Sequence, residues 1–346
     1  MYNINCWWIT LLKIRLLVSS LVLFMSISKL NAQDSFLIAD GVIHTISSKH
    51  ERYQDFVVPN RLHGYNQIII EAEGADGGWV EYTYHDRFDT RRTKRVNGGE
   101  GATVTAVYSV AAGNPNITPG AILRFIVGVR GHYAKYDLLS DGYFGAGGGG
   151  GTAVLISKDG GANWKLLLVA GGGGGAGLRF LNHKEDVELN AGQPGSSNEH
   201  GYGGTHHNII MADGGLHGEG GRSYKNTGGG GGAFGDGKHT VGQLYYGNAG
   251  WKDKKLSEPP MGGLGGMQKG CVNGGSGFGG GGSGKEGGGG GGGYSGGGAG
   301  KNGFGGGGGG SYVNHLETYA TNVNKIQNDN TNNSGDGYVR YKFSSK

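Results

Sequence analysis

Six glycine runs constrain what this chain can become: Gly147–Gly151, Gly171–Gly175, Gly228–Gly232, Gly279–Gly282, Gly287–Gly293 and Gly305–Gly310. Glycine supplies 80 of the 346 residues, against a usual share of about 7%. It loses more backbone freedom on ordering than any other residue and brings no side chain to bury. Such runs stay disordered unless something specific orders them. A flexible linker would lie in polar, unpunctuated sequence. Here large apolar residues bound the runs, namely Phe234, Phe278, Tyr294, Phe304 and Tyr312, and two runs abut the strand-like segments 152–157 and 166–170. No strict Gly-X-Y period is present, which excludes collagen.

Backbone chemistry offers an ordered alternative. Extended glycine takes the left-handed, three-residue-per-turn polyproline II conformation, which makes no internal hydrogen bonds and points every N–H and C=O outward. Without Cβ atoms, neighbouring segments approach closely and bond on all sides. At about 3.1 Å per residue a seven-glycine run reaches roughly 22 Å, the thickness of a small domain. A packed bundle of polyglycine II helices is therefore expected.

Residues 1–32 have the pattern of a secretory signal peptide. Lys13 and Arg15 precede an apolar core from Leu16 to Ile27, and Ala32 supplies a small residue at the cut. The uninterrupted apolar stretch is short for a membrane span of about 20 residues. The mature chain is expected to be secreted, extracellular or held at a cell surface, with no transmembrane segment after cleavage. Removing the signal takes three cations and no acid, so the net charge of +4 becomes about +1. A near-neutral chain gives no general case for nucleic acid. Cys271 is then the one cysteine left, which excludes a disulfide scaffold. It reads as an inert thiol or an intermolecular bridge.

Residues 33–54 form an N-terminal segment without a clear assignment, in which 35–39 and 42–46 have the character of short strands. Strands are predicted at 67–71, 102–110, 121–129, 152–157 and 164–170, the last two joined as a hairpin by the Asp-Gly turn at 159–160. Residues 86–95 are basic and read as a solvated loop, or as a docking surface for an acidic partner or anionic glycan through Arg87, Arg91, Arg92, Lys94 and Arg95. Asn116 opens an N-glycosylation sequon, weakened by Pro119, that applies if the chain is made by a eukaryote. Beyond Ala170 the strand pattern dissolves into glycine, and a final strand returns at 337–343. This order predicts an all-β sandwich built from about 55–170 and 336–343, with a glycine-rich insertion over about 171–312.

Several segments together resemble the glycine-rich extracellular region of the anaplastic lymphoma kinase and leukocyte tyrosine kinase receptors. They are Ile70–Gly78, Gly98–Thr105, Pro119–Gly128, Leu167–Gly175, Gly277–Gly282, Gly287–Gly297 and Gly303–Tyr312, in the same order and spread over roughly 55–343. The resemblance implies a TNF-like β-sandwich carrying polyglycine II helices in its glycine-rich loops, and a region that in those receptors takes part in cytokine binding. Kinase signatures are absent, so kinase activity does not carry over. The basic segment 86–95 departs from a surface that would take basic ligands, so no ligand-contact residue carries over.

Signals for catalysis are weak. Gly279–Glu286 meets seven positions of a phosphate-binding loop, but Glu286 lacks the hydroxyl that would hold Mg²⁺. Neither a strand nor a helix frames it. His200, His206, His207, His217 and His239 are metal-ligand types without a geometry-fixing spacing, and read as solvated loop histidines. The chain is expected to be no enzyme and to need no cofactor or metal. It reads as an extracellular binding module for a protein or glycan. A structural protein of a matrix, envelope or cell wall is the second reading; an ice-binding face is disfavoured by the charged loops.

Overall fold

The computed structural model describes residues 35–48, 52–113, 116–137, 141–181, 186–206, 209–238, 245–251, 259–314, 320–326 and 335–345. The predicted signal, His207 and His239 lie outside them. Leu37–Lys346 forms one compact unit; of the other unit, Met1–Phe36, only Ser35 and Phe36 are described.

The described residues contain strands and no helix. In chain order these are β1 (His44–Ser47), β2 (Gln54–Val57), β3 (Gln67–Glu73), β4 (Val80–His85), β5 (Arg91–Val96) and β6 (Thr103–Ser109). Then come β7 (Ile122–Ile126), β8 (Ala134–Asp137), β9 (Tyr143–Gly145), β10 (Thr152–Ser157), β11 (Lys165–Ala170) and β12 (Gly177–Phe180). The remainder are β13 (Val187–Asn190), β14 (Gly204–His206), β15 (Ile209–Ala212), β16 (Tyr312–Val313), β17 (Ala320–Ile326) and β18 (Tyr338–Ser344).

Two five-stranded sheets face each other, ordered β1-β18-β3-β6-β17 and β16-β11-β10-β7-β2. The alternation of β3 and β6 turns Ile68, Ile70, Ala72, Val104, Ala106 and Tyr108 inward. They meet Leu123, Phe125, Val154, Ile156 and Leu168 of the second sheet in one core. Every residue of β10 is buried, because the opposite face of its sheet packs on the glycine region. There Ile126, Ala153, Leu155 and Val169 meet Ala233 and Phe278. A sheet covered on both faces reads as a continuous apolar run, as 152–157 and 166–170 do.

The segment of uncertain structure supplies β1 and the start of β2, the outer strands of the two sheets beside β18 and β7. The expected last strand is β18, antiparallel to β3. The polar sequence between the insertion and that strand also contributes: β17 pairs with β6 through Ala320–Ile326. Beyond Ala170, β12 and β13 form a small sheet with β9, and β14 pairs with β15.

The glycine runs are buried and bonded across the chain with a period of three. In segment 146–151, the amides of Ala146 and Gly149 donate to Ala176 and Gly173, those of Gly147 and Gly150 to His132 and Val129, and those of Gly148 and Gly151 to Gly282 and Gly279. Its carbonyls accept in the same rhythm. Gly147 and Gly150 accept from Gly78 and Ala75, Gly148 and Gly151 from Gly275 and Phe278, and Ala146 and Gly149 from Gly289 and Gly292. Six neighbouring stretches thus satisfy one segment. Gly279, at φ +80°, turns the chain between two of them, where a Cβ would be strained. The array draws on 74–78, 98–101 and 128–131 as well as on 171–312, so it is not confined to the expected insertion.

Two polar anchors fasten the sheets to this array. Arg124, on β7, forms a bidentate pair with Asp55 (2.8 and 2.7 Å) and donates to the Pro260 carbonyl (2.8 Å). Its guanidinium lies 3.7 Å from the Tyr53 ring centroid and 4.2 Å from that of Trp164. Arg124 is 5% exposed and Asp55 35%. The half-open carboxylate can hydrate once its partner is gone, so Arg124→Ala is expected to cost about 3 kcal/mol, the low end for a broken buried pair. Arg124→Lys should recover less than half, since an ammonium cannot fork or stack in the same way. Denaturant unfolding measures both.

Asp76, 4% exposed, is the second anchor. Its carboxylate accepts the amides of Gly101 (3.0 Å) and Gly335 (2.8 Å), and its own amide and carbonyl bond Gly335 and Gly131. Nearby, burial pushes the Glu73 carboxyl up, opposed by a hydrogen bond from Tyr338, with the Asp76 charge adding to the rise. A carboxyl raised on folding binds its proton more tightly in the folded state. Its stabilising contribution is complete below the ordinary glutamate range and is lost as the pH rises through the folded-state value. Glu73→Gln is therefore expected to raise the melting temperature at neutral pH and to leave it unchanged near pH ~3.

Candidate functional site

The basic segment is not a loop throughout. It is a turn followed by β5, in a three-stranded sheet ordered β5-β4-β8. Asp86 builds the turn: its Oδ1 accepts the amides of Phe88 and Thr90, both at 2.9 Å. Those amides and Arg92 hold its carboxyl below the usual range. Once the chain has reversed, the antiparallel register sets the side chains. Arg92 and Lys94 stand opposite Tyr84 and Tyr82, whereas Arg91 and Arg95 stand opposite His85 and Glu81. Val80, Tyr82 and Tyr84 are buried, in a core shared with Leu178 and Phe180 of β12.

The five candidate cations are thus divided. Arg92 pairs with Asp86 (3.0 Å) and Lys94 lies over the Tyr84 ring (5.2 Å), on the core side. Arg87 lies at the turn over Phe88, whose side chain is 72% exposed. Arg91 and Arg95 share the outward face. Arg91 meets Asp137 at 3.3 Å, and Arg95 stacks on Trp79 with 4.0 Å to the ring centroid.

Strand β8, parallel to β4, brings in residues that the charge pattern did not signal. Trp79 and Tyr133 stack with centroids 4.3 Å apart and planes within 5°. Lys135, in register with Glu81, pairs with it at 3.2 Å and lies 5.4 Å from the Trp79 ring centroid. Trp79 follows Gly77-Gly78 at the start of a strand, and Tyr133 precedes one after Gly131. An aromatic next to a glycine turn is the signal that could have paired them.

A concavity of about 230 Å³ lies where the sheet meets the glycine region, lined by Trp164, Phe234, Trp251, Tyr294 and Tyr312. Tyr294 and Tyr312 stack at 4.4 Å.

The remaining candidates do not converge. His200 and His217 meet edge to face at 5.7 Å, while His206 belongs to β14. Among the described residues no group of three or more His, Cys, Asp or Glu side chains could hold a metal ion. In the loop-like match at Gly279–Glu286, the amides of Gly280, Gly281, Gly282, Ser283 and Gly284 are each bonded to a backbone carbonyl. They offer no cradle for phosphate. Asn116 is partly exposed, and its carbonyl accepts from Lys158 Nζ at 2.7 Å. Cys271 is free and partly buried, and burial pushes its thiol up.

No protein-family model and no curated protein matches this chain. No helix among the described residues is long and apolar enough to cross a membrane.

Proposed function

We propose that this chain is a secreted or cell-surface, non-enzymatic binding module that presents surface elements from a rigid glycine-rich base. The base is a bundle of polyglycine II helices, joined to a sandwich of the TNF-like kind that the receptor resemblance implies. The observation that carries this is the period of three in segment 146–151, where successive residues bond successive neighbours in rotation. That is the rhythm of a three-residue helix without internal hydrogen bonds. A surface held on such a base loses little freedom on binding. The partner is an extracellular protein or glycan.

Hydrogen exchange tests the base. The amides of Gly287–Gly293 should exchange at least about a thousandfold more slowly than in an unfolded peptide, as for groups opened only by global unfolding. Rates equal to those of a free peptide would end the proposal. Capture from native extracellular material tests the role. A saturable soluble partner supports recognition, whereas insoluble self-association with no partner supports a structural matrix protein instead.

A further inference from the structure

We propose that the outward face of β4, β5 and β8 is a docking site for an acidic polysaccharide, its uronate or sulfate groups held by Arg95 and Lys135 and its sugar rings packed on Tyr133. This deepens the binding-module reading and rests on it. The face combines two features. The first is a flat aromatic platform: Tyr133 lies parallel to Trp79 and is 48% exposed, so one ring surface is open to solvent. The axial C–H groups on the apolar face of a pyranose chair pack against such a ring.

The second is a rim of cations at the edge of that platform. Arg95 lies over the Trp79 ring, 4.0 Å from its centroid, and its guanidinium can fork to a carboxylate or sulfate. It makes no ion pair among the described residues. Lys135 and Arg91 carry side chains 60% and 68% exposed, and their pairs with Glu81 and Asp137 are solvent-washed. Such pairs are weak, so both cations can turn to a stronger anion. The carboxylates weigh against a polyanion; Glu81 is only 25% exposed, whereas Asp137, at 56%, must be outcompeted for Arg91. A flat ring bordered by cations matches a repeat unit that alternates apolar ring faces with equatorial anionic groups. The chain's small net charge makes this a local attraction rather than a general one.

The test uses the full mature chain, calorimetry, and three probes: alginate and dextran sulfate as acidic polysaccharides, and dextran as the neutral one. Binding to both acidic probes and not to dextran is expected. Arg95→Ala should weaken it about tenfold and Tyr133→Ala about fivefold, with Tyr133→Phe retaining it, each at unchanged melting temperature. Arg92→Ala, on the core side of the same hairpin, should change it less than about twofold. An equal loss in Arg92→Ala would reduce the effect to bulk charge, and no loss in Tyr133→Ala would remove the platform. Equal affinity for single-stranded RNA would make the face a nucleic-acid surface. If the acidic probes do not bind while a soluble partner is captured, this site assignment fails and the binding-module reading stands.

Discussion

Gly150→Ala is expected to cost the fold a large part of its stability. A Cβ built on Gly150 would fall inside the carbonyl of Ser276, with the amide of Gly277 at 3.0 Å. Both are backbone atoms, held in turn by their own hydrogen bonds, so neither can rotate aside as a side chain would. Over-filling an ordinary side-chain core by a methylene costs about 1–3 kcal/mol. Here the obstruction is main chain, and relieving it breaks bonds to several neighbours, so the cost should exceed about 4 kcal/mol. A domain of ordinary stability holds about 5–15 kcal/mol in all. Gly335→Ala is the matched control. No atom of the described residues lies within 4 Å of its added Cβ and its φ is not positive, so its unfolding free energy should stay within about 0.5 kcal/mol of the parent. Soluble yield and denaturant unfolding of the two variants distinguish a packed array from a merely glycine-rich one. Ala146, Ala176 and Ala233 show where a methyl is allowed: each faces an apolar side-chain cluster instead of another backbone.

Asp76→Ala is the second large effect. It removes the acceptors of two amides, that of buried Gly101 and that of part-buried Gly335. An orphaned buried donor costs about 1–3 kcal/mol and a part-buried one less, so the variant should lose about 2–4 kcal/mol. Asp76→Asn should do almost as badly despite its matching shape, because its NH₂ must face one of the two N–H groups. A melting temperature for Asp76→Asn within a degree or so of the parent would show that the carboxylate is not the anchor described.

Much of the sheet architecture was legible in the sequence. The alternation of Thr103–Ser109 and the apolar runs of 152–157 and 166–170 report one-sided and two-sided burial directly. The return of the chain at Tyr338–Ser344 was legible too, because an alternating strand survives any amount of intervening glycine. Strands carrying little apolar signal were not. Within β17, Asn322-Val-Asn-Lys325 is polar at all but one position, and its pairing with β6 is fixed by the neighbouring strand. The basic segment misled for a related reason: Arg91–Val96 is charged on both faces, since one faces solvent and the other only the rim of a small core. Of the candidate surface, the charges were visible one by one. Their division between two faces, and the meeting of Trp79 with Tyr133 and Lys135, depend on a parallel pairing of β4 with β8 that no local pattern encodes.

The way the glycine segments share their bonds also sets how the chain must assemble. Segment 146–151 is completed by stretches as far apart as 75–78 and 289–292, and Gly171 donates to Ser311, 140 positions further on. A near neighbour such as 129–132 or 173–176 satisfies only part of a run, so completion waits on the slowest long-range closure. Folding should be slow even for an all-β topology. Until that closure, side-chain-free strings stand open to pairing with another molecule, which makes the newly made chain more vulnerable to aggregation than the finished one. Closure of the glycine array, rather than synthesis of any one run, is thus the point at which its protection against that fate begins.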